Sequence, residues 1–190
     1  MPCLTDAFDT RVAGCSARLI EAAGMAPLEL PAGQTCCGQA LRNAGLVRDG
    51  DRLARRMAKV FAANDAVVTP SASCAAHVRL HGPPELAAKT FELAEFLVRH
   101  GFDPAERECR WAGRVAVHPS CHGRGLAAAA RDGGGADPTL ALLARVADLE
   151  LVPLPREASA AASAGRSRRR SRRCRWRSAR TSSRRPTRPA

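Results

Sequence analysis

Strand-like segments alternate with amphipathic helical segments along this 190-residue chain. That alternation predicts an α/β fold, with a mostly parallel sheet and helices on its faces. Hydrophobic residues make up 45% of the chain, which is enough to build a hydrophobic core. Two stretches that each run from a cysteine through a helix to a strand ending in proline predict two related repeats, of which the second is incomplete.

The first half of the chain contains two predicted helices and two predicted strands. Residues 10–23 carry apolar side chains at helical spacing and stop at Gly24, and glycine commonly ends a helix. Residues 51–62 place four apolar side chains on one helix face. The short apolar runs at 28–30 and 66–69 are typical of strands, and loops rich in small residues and cysteine follow both of them.

The second half continues the alternation. Five apolar side chains on one face predict a helix over 85–99, and an apolar run at 114–118 predicts a strand. A further helix is expected over 139–146 and a strand over 149–152. Strands separated by helices in this way are typical of a parallel sheet.

The net charge of +12 is confined to the end of the chain. Residues 166–190 contain 12 arginines and no acidic residue, whereas the first 165 residues carry 18 basic and 18 acidic residues. The high isoelectric point therefore describes a basic tail, which we expect to be disordered over 156–190, and not a binding face of the folded part. Such a tail binds polyanions, nucleic acid included, only non-specifically.

The sequence predicts a cytoplasmic protein. It has no apolar run long enough to span a membrane, and its first residues lack the pattern of a secretory signal. Thiols stay reduced in the cytosol, so its eight cysteines are expected to be free or to bind a metal. Cys15 and Cys109 lie in segments where a small buried apolar side chain is the expected role.

Four other cysteines have the spacing of a metal site. Cys3, the adjacent pair Cys36 and Cys37, and Cys74 all lie at strand ends or in loops. The corresponding ends of parallel strands meet at one edge of a sheet, so these thiols are expected to converge there. Soft sulfur ligands favour an iron–sulfur cluster or zinc.

Several motifs resemble those of the cysteine-rich CCG-domain proteins, and in particular the lactate-utilisation A subunits, the iron–sulfur subunits of L-lactate dehydrogenase complexes. The resemblance extends from Cys3 to Pro155, about four-fifths of the chain. It rests on four segments: QTCCGQ at 34–39, VVTPSASC at 67–74, ELAEFL at 92–97 and HPSCH at 118–122.

The resemblance implies an electron-transfer subunit that holds iron–sulfur clusters, here expected to be 4Fe-4S. Its partners would be other iron–sulfur subunits of a lactate-oxidation complex, and no catalytic residue is expected in this chain. Residues 1–100 would form a first cysteine-rich module, 101–155 a truncated second module and 156–190 the tail. The five positions that match cluster ligands are Cys3, Cys36, Cys37, Cys74 and Cys121.

The chain departs from the family pattern at several places. Only two residues precede Cys3, where the family has a strand, and His77 stands where heterodisulfide-reductase relatives have the second cysteine of a Cys-x-x-Cys motif. Whether His77, His118 or His122 binds a metal stays open. The second Cys-Cys-Gly motif is also missing after residue 155, so a second cluster cannot be completed by the chain as written.

The missing motif predicts a frameshift. Codons for residues 159–168 can be written so that a two-base shift reads Cys-Cys-Gly-Phe-Gly-Gly-Thr-Phe-Ser, which is what the family shows after such a strand. Out-of-frame GC-rich DNA also tends to encode arginine, alanine, serine and proline, as found in residues 156–190. We therefore expect a frameshift near residues 156–159.

Three alternative functions remain. The chain could be the iron–sulfur subunit of a glycolate oxidase or of a heterodisulfide-reductase-like complex. It could also be a cysteine-rich structural module that binds zinc, or a nucleic-acid binder that acts through its basic tail.

Overall fold

The computed structural model describes residues 9–25, 28, 30–118, 120, 122–123 and 137–154. Helices and short strands alternate through them, which confirms the mixed α/β class. In chain order the elements are α1 (Arg11–Ala22), α2 (Gln39–Asn43), α3 (Val47–Val60), β1 (Val67–Thr69), α4 (Ala72–His81), α5 (Pro84–Ala87), β2 (Thr90–Glu92), α6 (Leu93–Arg99), β3 (Arg110–Val115), α7 (Pro138–Leu143) and β4 (Ala147–Leu151).

The strands form two parallel pairs. β1 pairs with β2, with Val67 opposite Thr90. β3 pairs with β4, with Arg114 opposite Glu150. The predicted parallel pairing is therefore confirmed, in two two-stranded sheets within the described part of the chain.

Several predicted elements are present with shifted ends. α1 ends just before Gly24, whose φ of +81° is the left-handed conformation expected at a helix end. α3 begins at Val47 and not at residue 51. β3 lies over 110–115 instead of 114–118, and α7 and β4 match their predicted segments to within three residues.

The strand predicted over 28–30 is not present at the described residues of this segment. Leu28 and Leu30 are exposed and belong to no strand, and residue 29 between them lies outside the described residues. The tail at 156–190 also lies outside the described residues.

The single helix predicted over 85–99 is wrong, because this segment forms α5, β2 and α6. Thr90 breaks the helix: its backbone pairs with Val67 in β1, and its buried hydroxyl donates to the Leu86 carbonyl over 2.7 Å. The Glu92 carboxylate then accepts from the Ala94 and Glu95 backbone N–H groups and starts α6. Tertiary pairing with β1 thus overrides the helical periodicity of the sequence.

The sequence pattern does not predict helix α4. Four consecutive residues of α4, Ala75 to Val78, are buried, so the helix has no apolar stripe at a spacing of 3.6 residues. Its start is marked by Ser71, whose hydroxyl accepts from the Cys74 backbone N–H over 3.4 Å.

The hydrophobic core lies between α3, α4, α5 and β1. Its members are all buried and include one cysteine: Cys37, Met57, Phe61, Val67, Val78 and Leu86. Cys74 packs against this cluster and is partly buried. Two of the cysteines singled out from the sequence thus lie in or against this core.

The helices are also too short or too polar to cross a bilayer. Among the described residues, none combines the length and the apolar character of a membrane-spanning segment.

Candidate metal centre

The loop that carries Cys36 and Cys37 is held by a close contact between two glycines. Gly38 has a φ of +95°, which favours glycine, and a Cβ at this position would overlap the Gly50 carbonyl of α3. A Cβ on Gly50 would in turn lie 2.9 Å from the Gly38 carbonyl oxygen. The glycine after the two cysteines is therefore required for the loop to lie against α3.

Cys74 is held at the first turn of α4, directly after β1. Its backbone N–H donates to the Ser71 hydroxyl, which caps the helix. A thiolate in the first turn of a helix is favoured by the helix dipole and by the free N–H groups there. The strand and the helix cap together place Cys74 beside the Cys-Cys loop.

Cys74 packs against the core cluster that contains Cys37. Interaction with the Cys37 thiol lowers the pKa of Cys74 to about 6, with a smaller contribution from the Ser71 hydroxyl, although burial opposes both. The interaction with Cys74 and the burial of Cys37 raise the pKa of Cys37. Of the two thiols, Cys74 is therefore the one whose environment favours the thiolate.

Cys36 lies next to this pair and is partly buried. The Gly38 backbone N–H lies 3.4 Å from the Cys36 Sγ and donates to it, and the charge of Cys36 contributes to raising the pKa of Cys37. The described residues contain no group of three or more histidine, cysteine or acidic side chains placed so that together they could hold a metal ion. Cys3 and Cys121 lie outside the described residues.

A cavity of about 400 Å³ opens beside the cysteine pair. Both Cys37 and Cys74 line it, together with residues of α1, β1 and the loop before Cys36. The Thr35 hydroxyl also lines it, and its oxygen is buried without a hydrogen-bond partner among the described residues. A buried polar atom of this kind implies a further group at the site.

The residue types at this site are those of a thiophilic metal centre, although the described side chains do not form one ligand group. Cys37 and Cys74 line the same cavity, the environment of Cys74 lowers its pKa, and a third cysteine lies at the position before Cys37. Metal and iron–sulfur ligation require deprotonated thiols, which this environment favours at Cys74. Cys36, Cys37 and Cys74 are the described candidates for ligands at this site.

The histidines left open by the sequence have different environments. His77 is only 4% exposed, and its Nε2 has no partner among the described residues. Burial lowers the pKa of His77, with smaller contributions from His81 and Arg42, so its ring is neutral at pH 7. His118 and His122 are both exposed.

The two remaining described cysteines do not line the cavity. Cys15 is exposed on α1, where the Arg18 guanidinium donates to its sulfur, so the expectation of a buried apolar role is wrong for this residue. Its neighbours on the buried face of α1 are Ser16 and Ile20, one and five positions away. Cys109 is partly buried before β3.

The sequence pattern alone did not single out Thr35 and Ser71 as residues of this site. A serine three positions before Cys74 has the spacing of a helix cap, so this signal was available in the sequence. The role of Thr35 depends on its burial against the cavity, which no local pattern shows.

Comparison with known proteins shows the family of the chain. The profile of the cysteine-rich domain called CCG matches residues 1–79, which contain the Cys36–Cys37 loop and Cys74. Lactate utilization protein A of Bacillus licheniformis is 34% identical over 167 residues, covering 82% of this chain and 67% of the relative. The chain belongs to the lactate utilization protein A family.

Other members of the family are more similar in sequence. The Geobacillus kaustophilus protein is 41% identical over 168 residues, and the Geobacillus thermodenitrificans protein is 39% identical over 165 residues. In both cases the match covers 80% of this chain and 66% of the relative, so the chain spans just under two thirds of their length. No solved structure matches the chain.

Proposed function

We propose that this chain is an iron–sulfur electron-transfer subunit of an L-lactate-oxidising complex. The observation that carries the proposal is that Cys37 and Cys74 line one cavity, with Cys36 at the adjacent position. Soft sulfur donors at the end of a parallel strand suit an iron–sulfur cluster. The relatives named for lactate utilisation supply the substrate class and favour lactate over glycolate.

We propose Cys3, Cys36, Cys37 and Cys74 as ligands of one 4Fe-4S cluster, with Cys121 as the first ligand of a second cluster. Such a cluster, when bound, accepts and releases single electrons. The described residues prepare the site for it: the Gly38 N–H stabilises charge on Cys36, the Ser71 hydroxyl does so at Cys74, and the surrounding core excludes water from Cys37.

The chain itself is proposed to be non-catalytic. Its electrons would come from, and pass to, other iron–sulfur subunits of the lactate-oxidation complex in the cytoplasm, and these partners would carry the oxidation of the substrate. Residues 1–100 would form the complete first module and residues 101–155 part of the second.

The test is to purify the chain anaerobically and to measure iron, acid-labile sulfide and zinc. We expect about four irons and four sulfides for one 4Fe-4S cluster. Cys37→Ser and Cys74→Ser should lose most of both, whereas Cys15→Ser, at an exposed cysteine, should keep them. Stoichiometric zinc without sulfide would instead establish a structural zinc module.

We also propose that residues 156–190 arise from a frameshift. The matched share of the chain, 80%, is about the length of the segment from Cys3 to Pro155. Resequencing the coding DNA across codons 150–190 tests this idea. A missing or extra base that restores a Cys-Cys-Gly motif would support it, and an unchanged frame without that motif beneath it would refute it.

A further inference from the structure

The outer face of α3 carries a stripe of five basic residues. At 100° per residue these side chains fall within an arc of about 100° on the helix. All are exposed: Arg48, Arg52, Arg55, Arg56 and Lys59. We refer to them as the basic stripe.

The basic stripe has little compensating charge. The Arg52 guanidinium lies 3.8 Å from the Asp49 carboxylate, and both groups are exposed. No other member of the stripe has a described carboxylate within ion-pair distance, since Asp51 faces Arg42 instead, at 2.7 Å. Because the first 165 residues are neutral in sum, this stripe is a local concentration of positive charge.

The stripe lies on the opposite side of α3 from the cysteine site. The inner face of α3 buries Gly50, Ala54 and Met57. Met57 belongs to the same core cluster as Cys37, and the backbone of Gly50 contacts that of Gly38. A protein bound to the stripe would therefore be separated from the Cys-Cys loop by about one helix diameter, roughly 10 Å.

Two exposed apolar residues directly precede the stripe along the chain, at the start of α3 and outside its arc. Leu46 is 51% exposed and Val47 is 41% exposed. Arginine next to exposed aliphatic residues is a common composition of protein–protein interfaces. A nucleic acid would gain little from the aliphatic pair, so this composition favours a protein partner.

We propose that the basic stripe, with Leu46 and Val47, docks a protein with an acidic surface that exchanges electrons with the cysteine site. The inference rests on the proposed electron-transfer function and adds the surface and the charge of the partner. Opposite charges accelerate the encounter of two proteins and select the partner, and α3 would hold that partner beside Cys37.

The experiment uses the full chain and an acidic flavodoxin as the probe, with binding measured by calorimetry at low ionic strength. The triple variant R52E/R55E/K59E reverses three charges of the stripe. We expect its Kd to rise at least about tenfold. The matched control R168E/R169E/R170E makes the same charge change in the basic tail and should change Kd by less than about twofold. Raising the ionic strength to about 0.15 M should weaken the native interaction, because exposed charges are then screened.

Three results would overturn the proposal. The stripe variant could bind the flavodoxin as the native chain does, or the tail control could lose as much affinity as the stripe variant. The stripe variant could also lose affinity for a short DNA duplex to the same extent, which would indicate general polyanion binding. Urea denaturation checks that the variants fold. Iron content, measured separately, reports on the proposed electron-transfer function. Failure of the docking proposal can therefore be distinguished from failure of the proposed function.

Discussion

At the scale of single residues, the contact between Gly38 and Gly50 determines where the two adjacent cysteines lie. Gly38 combines a left-handed backbone with a contact that leaves no room for a Cβ. The loop is thereby pressed against α3, and Cys37 enters the core beside Cys74. The glycine of the Cys-Cys-Gly motif thus has a structural role separate from that of the cysteines.

Gly38→Ala is expected to lower the free energy of unfolding by about 2–4 kcal/mol. The substitution adds left-handed strain of roughly 1–2 kcal/mol to an overlap with the Gly50 carbonyl. Gly14→Ala is the matched control, because Gly14 is helical and has open space around it, so it should be neutral or stabilising. Urea unfolding measures both, and equal stabilities of the two variants would contradict the role given to Gly38.

Glu92 predicts a pH dependence of stability. Burial raises the pKa of this carboxyl above its ordinary value of 4.5, although the N–H groups at the start of α6 partly oppose the shift. A raised acid pKa in the folded state means that stability is lost as the pH rises from 4.5 through the folded value. Glu92→Gln keeps an oxygen that can cap α6 and removes the charge.

We therefore expect Glu92→Gln to gain stability relative to the native chain as the pH rises above about 4.5. The measurement is urea unfolding of both proteins at a series of pH values between about 4 and 7. Glu106→Gln serves as the control, because this carboxylate is exposed. If the native chain instead gained stability relative to Glu92→Gln as the pH rises, the predicted effect of the Glu92 carboxyl would be contradicted.

At the scale of elements, Lys89 joins the end of α3 to the start of β2. Its ammonium donates to the backbone carbonyls of Phe61, Ala62 and Asn64 over 2.6–3.0 Å. Phe61 caps the C-terminal end of α3, so the lysine adds charged hydrogen bonds to the carbonyls that follow this helix. This link places β2 alongside β1.

Lys89→Met is expected to reduce the free energy of unfolding by about 2 kcal/mol, since charged hydrogen bonds to partly buried carbonyls are lost. Lys59, the other lysine of the chain, is exposed, so Lys59→Met should change the free energy of unfolding by less than about 0.5 kcal/mol. Thermal or urea unfolding compares them. If the two variants were equally stable, Lys89 would be an ordinary surface lysine.

Arg79 gives α4 a second attachment near the cysteine site. Its guanidinium donates to the Thr90 carbonyl over 2.8 Å and pairs with Glu95 at 2.5 Å. Both charged side chains are about three-quarters buried, so the pair is less screened than the surface pairs of this chain. The helix that presents Cys74 is thereby tied to β2 and α6.

At the scale of the whole molecule, the charge of the tail predicts strongly salt-dependent binding to polyanions. We expect that deleting residues 166–190 removes most of the affinity for a DNA duplex and flattens the dependence of that affinity on salt. The folded part should keep its urea midpoint. Duplex binding that survives the deletion with an unchanged salt slope would place the interaction on the folded part.

The sequence was sufficient for features that follow from local chemistry. The periodicity of 10–23 and the glycine after it predicted α1, and the apolar run at 66–69 predicted β1. Short parallel strands followed from their alternation with helices. It also singled out Cys36, Cys37 and Cys74, because adjacent thiols in small-residue loops are typical of metal sites.

Other features depended on contacts between distant residues. The segment 85–99 has a helical pattern, yet β1 captures Thr90 as a strand partner, and this long-range pairing outweighs the local preference. α4 has no periodic pattern because it is buried along four consecutive residues. Local periodicity reports one buried face, so it fails for elements that are buried on several sides.

Residue types and their spacing thus determined the α/β class, the family and the cysteines of the candidate site. Tertiary structure decided that Cys37 and Cys74 line one cavity, that Gly38 fits only against Gly50, and that the Thr35 hydroxyl is left buried beside that cavity. The physical reason is that the sequence specifies which groups are available, whereas a thiol's pKa and a glycine's necessity depend on the atoms that folding brings next to them.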